Sequence, residues 1–255
     1  MKLKYELNPP KIELNGSINL PSLRERMNGF QKRAQLLDGL VDGIHLTDSV
    51  LGIPRISGIV AAGHLNMDRK LDSIPVTCSL RIRDRSFLSI CQFVADALLV
   101  GIKGVLLVAG DDSGDRAKYS LTRPSEIVRA LRNTRYNENI ELDLAIPNRI
   151  GKSSLIQRKI DVKPNAFITQ SIDSLEALSS IVDLSHQNKI KVIACIMIPC
   201  EKNEPSAKII GLNWAVYKDT PIDFIKEAGR LADEILLTSP NNFNAGLQLL
   251  EQLRK

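Results

Sequence analysis

The chain has 255 residues, of which 44% are apolar, so it can bury a substantial core in one large domain or two small ones. Its net charge of +5 would suit nucleic acid and small anionic ligands equally. Aromatic residues make up only 4%, too few stacking platforms for a protein that binds single-stranded nucleic acid, so we expect no nucleic-acid partner. One basic cluster, Arg81, Arg83 and Arg85, is expected on a solvated loop.

The sequence shows no targeting or metal-binding pattern. It contains no apolar run of membrane-spanning length, and the residues after Met1 lack the apolar segment of a secretory signal. We therefore expect a cytoplasmic location and no membrane partner. Four scattered cysteines and three histidines show no spacing typical of zinc, and we interpret the thiols as reduced and mostly buried.

The first predicted strand, Leu3 to Leu7, carries one carboxylate and is followed directly by a Pro-Pro pair. Burying an ionisable group is costly unless it is paired or has chemistry to perform, which makes Glu6 a candidate proton donor. The alternating apolar residues of this strand also allow a second interpretation. In that interpretation they face the core and Glu6 points at water.

Seven further β-rich apolar runs follow along the chain. They are Gly43 to Leu46, Ile74 to Cys78, Gly104 to Val108, Ile140 to Ala145, Ala166 to Ile168, Lys191 to Ile198 and Glu234 to Leu237. Several, such as Val105 to Val108, are apolar without alternation. This pattern is typical of strands that are covered on both faces in a parallel sheet.

Amphipathic stretches with helical spacing lie between these strands. Their apolar stripes are Phe87, Ile90, Cys91, Val94 and Leu98 before Gly101, then Leu175, Leu178 and Val182, and finally Phe243, Leu247 and Leu250. Eight βα units in about 250 residues predict an α/β protein, a single (β/α)8 TIM barrel that forms one domain over residues 1–255. The alternative is an open doubly wound sheet, which ordinarily needs fewer strands for this length.

Polar residues stand at the predicted carboxyl ends of the strands, where the active sites of such barrels gather. They are Glu6, Thr47, Asp48, Thr77, Gly110, Asp111, Asn148, Thr169, Gln170, Thr238 and Ser239. Any one of them is expected wherever a strand gives way to a loop. Together they predict one concave polar mouth.

Taken in chain order, these segments resemble the methylenetetrahydrofolate reductase family, in particular its short microbial and archaeal members. The resembling segments are Tyr5 to Lys11, which is similar to an aromatic-Glu-x-x-Pro-Pro signature; His45 to Ser49 with Pro75 to Cys78 and Arg83 to Arg85; Gly101 to Leu106 with Gly110 and Asp111; Arg158 to Asp161; and Ala166 to Gln170. Farther along, Gly211 to Trp214 is similar to a flavin-independent branch of the superfamily.

The resemblance implies reduction of a 5,10-methylene-tetrahydropterin to its 5-methyl form by hydride transfer. Protonating the side-chain nitrogen of the substrate opens its five-membered ring and leaves an iminium that accepts the hydride. By resemblance, Glu6 is that acid. Asp111 and Gln170 match pterin-contacting residues, because a carboxylate and an amide complement the donors and acceptors of the ring.

The resemblance also implies a flavin, FAD or FMN, with NAD(P)H as the co-substrate. Thr47, Thr77 and Gly110 match positions along the flavin, and Lys159 matches a lysine near its phosphates. Two alternatives stay open: direct hydride transfer from a nicotinamide or deazaflavin coenzyme without bound flavin, and a pterin-binding methyltransferase barrel without redox activity. A homo-oligomer or an electron-delivering partner subunit would fit either redox route.

Overall fold

The computed structural model describes residues 1–13, 18–67, 74–83, 85–110, 123–148 and 154–255. Within these ranges, parallel strands alternate with helices and pair in chain order, the last with the first, into a closed eight-stranded barrel. The predicted (β/α)8 TIM barrel is therefore confirmed. None of the described helices is long and apolar enough to cross a membrane.

The strands are β1 Lys2–Leu7, β2 Gly43–Leu46, β3 Val76–Arg81, β4 Gly104–Val108, β5 Glu141–Ile146, β6 Ala166–Thr169, β7 Lys191–Met197 and β8 Glu234–Thr238. Each overlaps its predicted run, and β3 differs most. This strand begins after Pro75 and continues past Cys78 to Arg81, because Ser79, Leu80 and Arg81 pair with Leu106, Leu107 and Val108 of β4.

The helices are α1 Leu20–Gln35, α2 Gly58–Asn66, α3 Phe87–Leu99, α4 Pro124–Asn133, α5 Ser154–Asp161, α6 Leu175–Gln187, α7 Glu204–Ile209, α8 Pro221–Leu231 and α9 Phe243–Leu253. Side-chain oxygens of Ser86 and Ser174 cap α3 and α6 by accepting hydrogen bonds from backbone N–H groups of the first turn. The predicted stripe of α3 is only partly correct. Its buried face is Ile90, Phe93, Val94 and Ala97, whereas Phe87 in the first turn is 41% exposed.

The backbone divides into two compact units. The first comprises Met1–Glu6, Gly39–Gly43 and Asp143–Lys255. In it β5, β6, β7, β8 and β1 pair side by side. Tyr5 of β1 packs outward on α9, where its ring meets that of Phe243 edge to face with centroids 5.8 Å apart. The opposite face of β1 carries Glu6.

The second unit comprises Leu7–Asp38 and Ile44–Leu142. In it β2, β3 and β4 pair side by side. The Pro-Pro pair ends β1, and the chain after it pairs briefly with the segment before α2. There the Ile12 N–H bonds the Pro54 carbonyl at 2.8 Å, and the Ile56 N–H bonds the Pro10 carbonyl at 2.9 Å.

All four cysteines are free thiols, of which Cys78 and Cys195 are buried.

Candidate functional site

Glu6 lies next to the carboxyl end of β1, on the face turned away from α9. Its side chain is half-buried, and the Thr238 hydroxyl donates a hydrogen bond of 2.7 Å to its carboxylate oxygen Oε1. The strand register explains this contact, because Tyr5 pairs with Leu237 and the next residue of each strand therefore lies alongside the other. The carboxyl group is thus held against β8, and the interpretation that Glu6 simply points at water is wrong.

Cys195 of β7 is a buried thiol that lies close enough to Glu6 for the carboxylate charge to act on it. Burial, and secondly the charge of Glu6, raise the pKa of the Cys195 thiol to about 12, while a hydrogen bond with Ser171 acts in the opposite direction. The Cys195 N–H donates to the Thr169 hydroxyl oxygen at 3.0 Å. Cys195 therefore contributes a neutral thiol to this end of the strands, and Thr238 contributes a hydroxyl that bonds Glu6.

Gln170 and Lys159 of the first unit differ in exposure and in their contacts. Gln170 directly follows β6, and its side chain is exposed while its backbone N–H bonds the Ile146 carbonyl at 3.2 Å. Lys159 of α5 donates from Nζ to the Ala145 carbonyl near the carboxyl end of β5. Burial lowers the pKa of Lys159. Lys159 is therefore a half-buried strand-end ammonium rather than a solvated helix lysine.

Thr77 does not lie at the carboxyl end of its strand, where the sequence analysis predicts it. It is the second residue of β3, and the strand runs four residues further to Arg81, about 13 Å at the usual rise per residue. Its hydroxyl bonds the Nδ1 of buried His45 at 2.9 Å, and Ser79 bonds the Nε2 of that ring at 2.9 Å. The expected position of Thr77 at a carboxyl strand end is wrong, because pairing with β4 prolongs β3.

Arg81 occupies that strand end instead, and the expectation of a solvated loop is wrong for it. Arg81 is only 7% exposed, and its backbone N–H donates to Asp48 Oδ2 at 2.9 Å. The same carboxylate oxygen faces the guanidinium of Arg85 at 3.6 Å. The alternation of Thr77, Ser79 and Arg81 is the signal that could have placed all three on one strand face.

The two other flavin positions are engaged by protein groups. The buried Thr47 hydroxyl donates to Asn8 Oδ1 at 2.7 Å. Gly110 has φ +92°, and a β-carbon there would stand 2.4 Å from Cγ of Arg81. Asp111, the predicted pterin carboxylate, lies outside the described residues.

Comparison with known proteins supports the fold and no family. No family model matches the chain, and no curated protein matches it. Among solved structures, the tryptophan synthase complex from Pyrococcus furiosus aligns with a TM-score of 0.55 at 13% identity, covering 99% of this chain and 97% of that one. A second structure of the enzyme from the same organism has a TM-score of 0.56 at 12% identity, with coverage of 99% and 94%.

Tryptophan synthase from M. tuberculosis aligns with a TM-score of 0.56 at 10% identity, covering 99% of this chain and 91% of that one. At such low identity these alignments establish the barrel and not the reaction, because one barrel supports many chemistries. The function must therefore be argued from the residues at the strand ends.

Proposed function

We propose that this protein is an oxidoreductase that converts a 5,10-methylene-tetrahydropterin to the 5-methyl form, with Glu6 as the proton donor. The observation that carries the proposal is the position of the Glu6 carboxyl group. It lies on the inner face of β1, near the end of the strand, where it accepts a hydrogen bond from the Thr238 hydroxyl. Carboxyl ends of barrel strands are where enzymes of this fold place their reacting groups.

The reaction needs an acid because the methylene bridge is a poor hydride acceptor. Glu6 gives its proton to the side-chain nitrogen of the pterin, the bond from that nitrogen to the bridging carbon breaks, and an iminium forms. A hydride then adds to the iminium carbon and produces the methyl group. If NAD(P)H is the donor, it leaves as NAD(P)+, and Glu6 regains a proton from solvent.

Gln170 is the proposed pterin contact in the first unit. Its amide follows β6 and is exposed, so it can reach a ligand. An amide offers one acceptor and two donors, which suits the edge of a pterin ring. The resemblance adds Asp111 as a second contact.

The residues matched to flavin fit that cofactor poorly. Thr77 lies at the start of its strand and bonds His45, the Thr47 hydroxyl proton is donated to Asn8, and the Arg81 side chain covers Gly110. Lys159 alone keeps ammonium donors at a strand end. We therefore derive no step through FAD. We favour direct hydride transfer from a reduced nicotinamide or deazaflavin coenzyme.

The test compares Glu6→Gln with Glu176→Gln, a matched substitution at an exposed position in the first turn of α6. Purified proteins are assayed for conversion of methylene-tetrahydrofolate with NADH or NADPH, and the absorption spectrum of the fresh protein reports bound flavin. We expect Glu6→Gln to lower turnover at least about 100-fold, since a positioned acid contributes that much. Glu176→Gln should behave as the parent.

Equal turnover in Glu6→Gln and the parent would refute the acid assignment. A parent that binds the pterin but never oxidises NADH, NADPH or a reduced deazaflavin would refute the reductase and favour the methyltransferase alternative. A flavin absorption spectrum that persists after gel filtration would refute direct transfer.

A further inference from the structure

Thr238 and the loops around it form a hydrogen-bonded corner at the carboxyl ends of β7 and β8. Thr238 is the last residue of β8 and only 4% exposed. Its carbonyl accepts the Ile198 N–H at 2.9 Å, while its hydroxyl donates to Glu6 at 2.7 Å. The side chain that contacts Glu6 is therefore attached to backbone that pairs with β7.

Asn203 braces the chain directly after Thr238. Its fully buried amide donates to the Ile198 carbonyl at 2.9 Å and to the Ser239 hydroxyl at 2.8 Å, and its Oδ1 accepts the Asn241 N–H at 3.0 Å. One amide thus joins the loop after β7 to the loop after β8. This arrangement leaves Thr238 little freedom to turn away from the carboxylate.

A hydroxyl partner has a chemical property that an acid residue can use. A carboxylate can only accept a hydrogen bond, whereas a protonated carboxyl group also donates one, and a hydroxyl can rotate to serve both states. Threonine is also stiff at χ1, so its oxygen keeps one position in both states.

We infer that Thr238 is a positioning residue that holds the Glu6 carboxyl group in one orientation before and after proton transfer and sets its acidity. The inference rests on the proposed function for its role in turnover. The effect of the hydrogen bond on the ionisation of Glu6 can be tested without any substrate. Because a charge-assisted hydrogen bond is stronger than a neutral one, loss of the hydroxyl should make Glu6 harder to ionise.

The experiment uses the full chain labelled with 13Cδ-glutamate. The spectrum of Glu6→Gln identifies the Glu6 signal by its absence, and the titration of that signal is followed in the parent, Thr238→Val and Thr238→Ser. Valine keeps the branched shape without the hydroxyl, and serine keeps the hydroxyl without the methyl group. Thr134→Val at the end of α4 is the control, since its hydroxyl bonds two carbonyls of its own helix, at 2.8 and 3.3 Å.

We expect the Glu6 titration midpoint to rise by about one pH unit in Thr238→Val and to stay within about 0.3 unit of the parent in the serine and control variants. Turnover of methylene-tetrahydrofolate should fall about 10-fold or more in Thr238→Val, with its pH profile displaced in the same direction as the titration, and recover in Thr238→Ser. An unchanged midpoint in Thr238→Val, or an equal shift in Thr238→Ser, would overturn the inference.

The same measurements distinguish failure of the proposed function from failure of the inference about Thr238. A parent without pterin reduction but with the expected titration pattern would refute the reaction and keep the Thr238–Glu6 coupling. The other case is an active parent that Glu6→Gln inactivates. If Thr238→Val then matches the parent in titration and in turnover, only the role of Thr238 is refuted.

Discussion

Gly246→Ala tests how β1, the strand that carries Glu6, is seated on α9. A β-carbon at position 246 would lie 2.1 Å from the Tyr5 hydroxyl oxygen and 2.7 and 2.8 Å from two carbons of its ring. Tyr5 is almost completely buried and its ring packs on Phe243, so it cannot swing into solvent. Either the helix or the strand must move.

The magnitude follows from two opposing contributions. Overpacking of a buried side chain costs about 3 kcal/mol at the upper end of the usual range, and we take that end because three atoms of Tyr5 would be in collision. Alanine in a helix interior recovers about 1 kcal/mol relative to glycine. We therefore expect Gly246→Ala to lower the free energy of unfolding by about 2 kcal/mol, equivalent to about 4–8 °C in Tm for a chain of this size.

The assay is urea unfolding followed by circular dichroism and by the fluorescence of Trp214, the single tryptophan. The control is Gly29→Ala in α1, where a β-carbon would meet nothing within 4 Å. It should raise stability by up to about 1 kcal/mol. In a Tyr5→Leu background, Gly246→Ala should cost less than in the parent. A Gly246→Ala protein at least as stable as the parent would refute the packing argument.

Two further predictions concern stability. Burial raises the pKa of Asp42, but hydrogen bonds from the Leu3 N–H and from Arg254 outweigh this and hold that pKa below its usual value. The stabilisation by ionised Asp42 is therefore fully present above about pH 4 and is lost as the pH falls through the lowered pKa. Urea midpoints should consequently decline more steeply below about pH 4 in the parent than in Asp42→Asn. If both proteins decline in parallel, Asp42 makes no such contribution. Gly110→Ala combines a positive φ with a collision against the Arg81 stem and should lower the free energy of unfolding by about 2 kcal/mol, with partial recovery in Arg81→Ala. Thermal unfolding of the single and double variants checks this, and an unaltered Tm in Gly110→Ala would contradict it.

The positions of the strands could be predicted from the sequence because a strand that is buried on both faces is a short, continuous run of apolar residues. Runs such as Val105 to Val108 are apolar without alternation, and each coincides with an observed strand. The alternation in β1 likewise separates Tyr5 from Glu6, since successive side chains of a strand point to opposite faces. The barrel follows from repeating such units, so the sequence alone determined the fold class and the strand face that carries Glu6.

Only the tertiary structure decided which groups meet at the ends of those strands. Whether β3 stops at Cys78 or continues to Arg81 depends on pairing with β4, and this moved Thr77 away from the strand end. Thr238 and Glu6 are separated by 232 residues in sequence and meet because β8 pairs with β1. Hydrophobic periodicity records which face of an element is buried, whereas strand register and loop contacts arise from partners distant in sequence and leave no local pattern.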